Sequence, residues 1–70
     1  MPLFQVGDHV EHVGSLVPEH LRFGRIIRVI SHPDLPEHLV DYQVSFRYTV
    51  LTFSERQLRL VERPPKDQPA

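Results

Sequence analysis

The side chains with chemistry to offer are five histidines, seven arginines and nine carboxylates, with no cysteine among the 70 residues. A metal centre needs at least two ligands converging from one face or one loop. His9 and His12 stand three apart in a segment patterned as a strand, so their side chains point to opposite faces and cannot chelate together. His20, His32 and His38 fall in loops, with no acid at ligand spacing to support them, and read as solvent-facing polar residues. Without cysteine there is neither a thiolate metal site nor a disulfide framework. The chain also lacks a Gly-x-Ser-x-Gly elbow and a phosphate loop. No metal, cofactor or catalytic residue is expected.

Binding chemistry is better represented. Seven of the eight basic residues are arginine, a bias toward carboxylate, phosphate and aromatic contacts. Arg22, Arg25 and Arg28 lie close together, with Arg47, Arg56, Arg59 and Arg63 further on. Positions 22 and 28 share strand parity, and 25 faces the other way unless Gly24 shifts the register. With Phe23, Tyr42, Tyr48 and Phe53 available, an arginine and aromatic surface for single-stranded nucleic acid is the alternative reading of this segment. A net charge of −1 argues for a local basic patch at most. Pro18-Glu19-His20-Leu21 and Pro36-Glu37-His38-Leu39 repeat one motif eighteen residues apart. Structurally, each proline would start a single turn whose leucine returns to the core. Functionally, the two would set acidic and imidazole tips on one rim.

The elements that must position these residues follow period two rather than 3.6. Strands are expected over about 8–13, 22–30, 40–46, 49–53 and 58–61, with a bend or bulge at Gly24 and a tight turn near Arg47-Tyr48-Thr49. Residues 14–21 and 31–39 are proline-bearing loops, and Ser54 caps a 3₁₀ turn that leads into the last strand. Tyr42, Val44 and Phe46 share one face of the alternating run, where Ile27, Val29 and Leu58 are expected to meet them. Residues 1–62 then form one domain, and 63–70, rich in proline and without a large apolar side chain, form a disordered tail. No apolar run approaches the ~20 residues of a membrane span. The start lacks the charged and apolar regions of a signal peptide, so a cytoplasmic protein without membrane association is expected. So short a chain has a thin core, which suits a monomer or a weak homodimer.

Five short strands, two long early loops and one 3₁₀ turn before the last strand give an all-β fold in the order of a five-stranded SH3-like small barrel. Val6-Gly7-Asp8-His9-Val10, Phe23-Gly24-Arg25-Ile26-Ile27-Arg28-Val29, Tyr42-Gln43-Val44-Ser45-Phe46 and Glu55-Arg56-Gln57-Leu58-Arg59-Leu60-Val61 resemble the Tudor-like and KOW-like barrel modules of bacteria. The C-terminal Tudor-like domain of bacterial repair helicases is one such pattern. A second resemblance, to the type II dihydrofolate reductases, would imply an oligomeric enzyme. Gly7-Asp8-His9-Val10 and Val50-Leu51-Thr52-Phe53 stand where that family has Gly-Asp-Arg-Val and Val-Gln-Ile-Tyr. Leu51, Thr52 and Phe53 replace its pore-lining residues, and the activity is not carried over. The leading expectation is a non-catalytic module that docks a protein partner through the rim of loops 14–21 and 31–39. Exposed Tyr48, Phe53, Arg47, His20 and His38 are its candidate anchors. Nucleic-acid binding through Arg22, Arg25 and Arg28 is the alternative.

Overall fold

A computed structural model describes residues 2–36 and 39–64. Its strands are β1 (His9–His12), β2 (Phe23–Ser31), β3 (Val40–Ser45), β4 (Val50–Ser54) and β5 (Leu58–Glu62), with 3₁₀ turns at Glu19–Leu21 and Glu55–Gln57. All pairings are antiparallel and make one sheet in the order β4-β3-β2-β1-β5. The expected closure into a barrel is not present, because β4 and β5 are both edges of this sheet. The second 3₁₀ turn carries the chain from β4 across to β1, where the Val13 N–H donates to the Gln57 carbonyl at 2.9 Å and β5 continues the ladder. Ser54 acts as the expected cap in partnership with Gln57, whose side-chain carbonyl accepts from the Ser54 N–H at 2.9 Å.

The alternating run does what its pattern predicts. Val40, Tyr42, Val44 and Phe46 are buried, and Asp41, Gln43 and Ser45 point to the other face. They join Phe4, Val10, Ile26, Phe53 and Leu58 in a core of nine apolar side chains, with Leu21 and Val29 packed against it. Phe53 sits edge-on to Phe46 at 5.8 Å and beside His12 at 4.3 Å between centroids. On β2 the expected core residue Ile27 is replaced by Ile26. The β2–β3 register shifts between Ile26 and Arg28, so Ile27 is an extra residue pushed outward while Ile26 is fully enclosed.

Gly24 serves close approach rather than bulging. A Cβ there would stand 2.6 Å from Val44 Cγ1 and 2.8 Å from the Ser45 carbonyl oxygen. Positions His9 and His12 do face opposite ways, His9 exposed and His12 turned inward.

Residues 3–5 are strapped on by side-chain acceptors. The Phe4 N–H donates to the Tyr42 hydroxyl at 3.3 Å, and the Tyr42 hydroxyl donates to Glu55 Oε2 at 2.5 Å. Burial, and the Glu55 carboxylate held against it, push the Tyr42 phenol up to about 12. Nearby, Asp8 is buried and accepts from the Gln5 N–H at 2.9 Å and from Arg63 Nη2 at 2.8 Å, while Arg63 also reaches the Leu3 carbonyl. Burial alone raises the Asp8 carboxyl, but the Arg63 guanidinium and the Gln5 N–H outweigh it and hold its pKa below the usual carboxylate value. Arg63, the first residue of the expected tail, thus closes the fold onto its own beginning. Residues 65–70 of the expected tail lie outside the described residues.

Candidate functional site

Strand β2 is nine residues long, so the loops at its two ends are far apart. Loop 14–21 enters β2, and the chain leaves it into residues 32–36. Because β2 and β3 are antiparallel, the turn between β3 and β4 returns to the start of β2 and meets the first loop. The expected rim of loops 14–21 and 31–39 is thus corrected by topology: residues 14–21 share their end of the sheet with the β3–β4 turn instead.

At that end Glu19, His20, Phe23, Arg47 and Tyr48 line one open depression of ≈ 500 Å³. Pro18 initiates the 3₁₀ turn that carries Glu19 and His20, and the Leu21 N–H donates back to the Pro18 carbonyl at 2.9 Å. Leu21 packs on the core, as the structural account of the repeated motif requires. The second copy has the same bond, Leu39 N–H to the Pro36 carbonyl at 2.9 Å, but Leu39 is exposed and borders a different groove with His32 and Leu35. Glu37 and His38 lie outside the described residues.

Three of the expected anchors, His20, Arg47 and Tyr48, therefore come together. Phe53 does not: it is a core residue, since the hairpin register sets it opposite Tyr42 on the inner face. Phe23 takes its place, 58% exposed beside Tyr48 at 73%. Its signal lies in β2, where Phe23 has the parity opposite to the inward-facing Gly24 and Ile26. Arg47 lies over the Tyr48 ring, Cζ to centroid 5.3 Å, which stiffens both without consuming the charge.

Among the described residues Arg47 is the arginine that lines the depression. Arg22 follows the 3₁₀ turn and flanks Phe23. Arg25 pairs with Ser45 and Arg28 with Gln43, both outer-face partners, so the extra residue at Ile27 restores Arg25 and Arg28 to one face. The register shift the sequence allowed at Gly24 thus occurs three residues later. Three ion pairs form among the described residues: Arg59 with Glu11, Arg63 with Asp8, and His32 with Asp41. None involves Arg22, Arg25, Arg28 or Arg47, all of them exposed. Glu19 is the one acid in the depression's lining.

Among the described residues no group of three or more histidines and carboxylates is placed to hold a metal ion, and no helix is long and apolar enough to cross a membrane. The chain matches no protein-family model, no curated protein and no solved structure.

Proposed function

We propose that this chain is a non-catalytic interaction module, an SH3-like sheet that docks an acidic stretch of a protein partner across Phe23, Arg47, Tyr48 and His20. The strand order, with β1 between β2 and β5 and a 3₁₀ turn before β5, supports the SH3-like reading. One observation carries the functional reading: two exposed aromatic rings, Phe23 and Tyr48, share one depression with Arg47, and Arg22 and Arg25 flank Phe23, all three arginines exposed and without a carboxylate partner among the described residues. Aromatic and arginine side chains dominate interface energies when a partner desolvates them. An open depression supplies contact area and charge, not the water-excluding enclosure that chemistry requires.

The test is an NMR titration of the full chain with a glutamate-rich peptide carrying aromatic residues. Amide shifts are expected to centre on Phe23, Arg47 and Tyr48. Phe23→Ala and Tyr48→Ala are each expected to weaken binding by ~30-fold, a loss of about 2 kcal/mol, with stability within about 0.5 kcal/mol of the parent because both rings are exposed. Saturable binding that ignores both substitutions would refute the assignment of this surface.

A second reading is supported by the alignment of Arg25 and Arg28 with Phe23 on the outer face. Bases would stack on Phe23 and Tyr48 while phosphates meet the arginines. Its mark is affinity for a single-stranded oligonucleotide that falls with salt, with a log–log slope near −2 to −3 for three or four phosphate contacts.

A further inference from the structure

The two edges of the sheet are not equivalent. Edge strand β5 carries Arg59 and Glu62, has a register irregularity against β1, and runs into Pro64. Those are the usual protections against strand pairing. Edge strand β4, Val50-Leu51-Thr52-Phe53-Ser54, has no charge, no proline, no glycine and an unbroken register against β3.

Its unused hydrogen-bonding groups can be named. At the start of the hairpin the Phe46 N–H donates to the Thr49 carbonyl at 2.7 Å. Antiparallel alternation then directs the N–H and C=O of Leu51 and Phe53 toward β3, and those of Val50, Thr52 and Ser54 to the open side. Gln57 already occupies the Ser54 N–H. Among the described residues Val50 and Thr52 are left with two donors and two acceptors facing outward.

We infer that β4 pairs with β4 of a second copy of this chain, antiparallel and centred on Leu51, extending two sheets into one. In this register Val50 of one copy meets Thr52 of the other, and all four outward groups of each strand are satisfied in four inter-chain bonds. Leu51 faces its own symmetry mate across the axis in a pair without direct hydrogen bonds, the arrangement that brings side chains closest. Leu51 is 37% exposed at the lip of the core and Val50 47% exposed on the other face, so pairing covers both. No like charges oppose one another along the strand. Continuing the register, the first charged residues beyond its ends, Arg47 and Glu55, come level with each other across the axis. The match is self-complementary, which selects a second copy over a charged partner strand and closes at two chains. Pairing of β4 with β5 of another copy would instead set this neutral strand against Arg59 and Glu62 and lead to rings or open chains.

Single-cysteine variants test this in a chain with no native cysteine. Under mild oxidation with diamide, Leu51→Cys is expected to form a covalent dimer at least ~10-fold faster than Thr52→Cys or Leu60→Cys, since only position 51 meets itself within disulfide reach. Equal rates at the three positions, or fastest coupling at position 60, would overturn the proposal. Sedimentation of the unmodified chain is expected to show a mass that rises with concentration from 8.2 kDa toward twice that value and stops there. A mass fixed at one chain, or one that grows past two, is equally fatal to it. Thr52→Pro removes an outward N–H, which an edge strand tolerates, and is expected to shift the mass back to one chain with the circular dichroism spectrum retained.

Discussion

Gly24→Ala replaces an α-hydrogen of β2 with a methyl group that points into β3. The new Cβ would stand 2.6 Å from Val44 Cγ1, 2.8 Å from the Ser45 carbonyl oxygen and 3.0 Å from Phe46 Cδ1. Val44 is fully buried and Phe46 nearly so, so neither has free space to retreat into. The Ser45 oxygen belongs to the backbone, and it moves only if β2 and β3 separate where Arg25 pairs with Ser45. Overpacking of this kind costs about 1–3 kcal/mol, and a clash against backbone belongs at the upper end. Losing a glycine from the unfolded chain returns about 0.5–1 kcal/mol. The net expectation is a loss of about 2 kcal/mol. A domain of this size has a total stability of roughly 4–10 kcal/mol, and each kcal/mol lost moves its melting temperature by about 4–8 °C. Thermal unfolding by circular dichroism should therefore show a fall of ~8–16 °C, and urea titration a lower midpoint with an unchanged slope. Phe23 and Arg25 flank this glycine, so the binding proposed for the depression is expected to weaken as well. A variant that melts within ~2 °C of the parent would refute the close-approach argument, because backbone contacts at these distances cannot be absorbed silently.

Further tests concern the groups that hold residues 3–5. Tyr42 has its phenol raised, so its contribution is complete below the unfolded value near 10 and is lost as pH climbs through about 12. Phenolate absorbance in a Tyr48→Phe background should report that late titration coinciding with unfolding. Tyr42→Phe leaves the Phe4 N–H and Glu55 without their hydroxyl partner and should cost about 1–3 kcal/mol in urea unfolding. Asp8 has its pKa depressed, so its contribution is present above the unfolded carboxylate value and is lost as pH falls through the folded one. Arg63→Ala removes the cation that opposes burial, and the acid-unfolding midpoint followed by circular dichroism should move toward neutral pH.

What the sequence displayed and what it concealed divide along one physical line. Period-two alternation from Val40 to Phe46 was readable because polar residues separate each inward side chain from the next. The capped turn was readable because Ser54 and Gln57 are three apart and act locally. In β2 the residues Ile26, Ile27, Val29 and Ile30 are all apolar, so either phase fits the pattern, and only pairing with β3 decides that Ile26 goes in. That choice also decides the face of Arg28, which is why parity counting separated Arg25 from Arg28 and the structure rejoins them. Phe53 was recoverable: a turn closed between Phe46 and Thr49 sets position 53 opposite Tyr42, hence inward. Arg63 carried no local signal, since its partner Asp8 is 55 residues away and two prolines follow it.

The distribution of charge follows from the same architecture. The described residues give the sheet nine buried apolar side chains to rest on, a thin core for which fastenings near the ends of the chain matter. Asp8 with Arg63, and Tyr42 with Glu55, provide them, each pair joining segments distant in sequence and sheltered from solvent on at least one side. Glu11 and Arg59 tie β1 to β5 on the outer face, and His32 with Asp41 ties the second loop to β3. Every one of these contacts lies on β1, β3, β5, the second loop or the strapped ends. None lies on the arginines of β2 or of the β3–β4 turn. Compensating those charges internally needed only a few more carboxylates on neighbouring strands, yet Ser45 and Gln43 are what face Arg25 and Arg28. Exposed cations cost a small domain little when solvated, and they gain most when a partner desolvates them against its own anions. With Asp8, Glu11, Asp41 and Glu55 engaged in fastening, Arg22, Arg25 and Arg47 stand near Phe23 and Tyr48 without a carboxylate partner among the described residues, and that is what supports the proposal of an anionic partner at this surface.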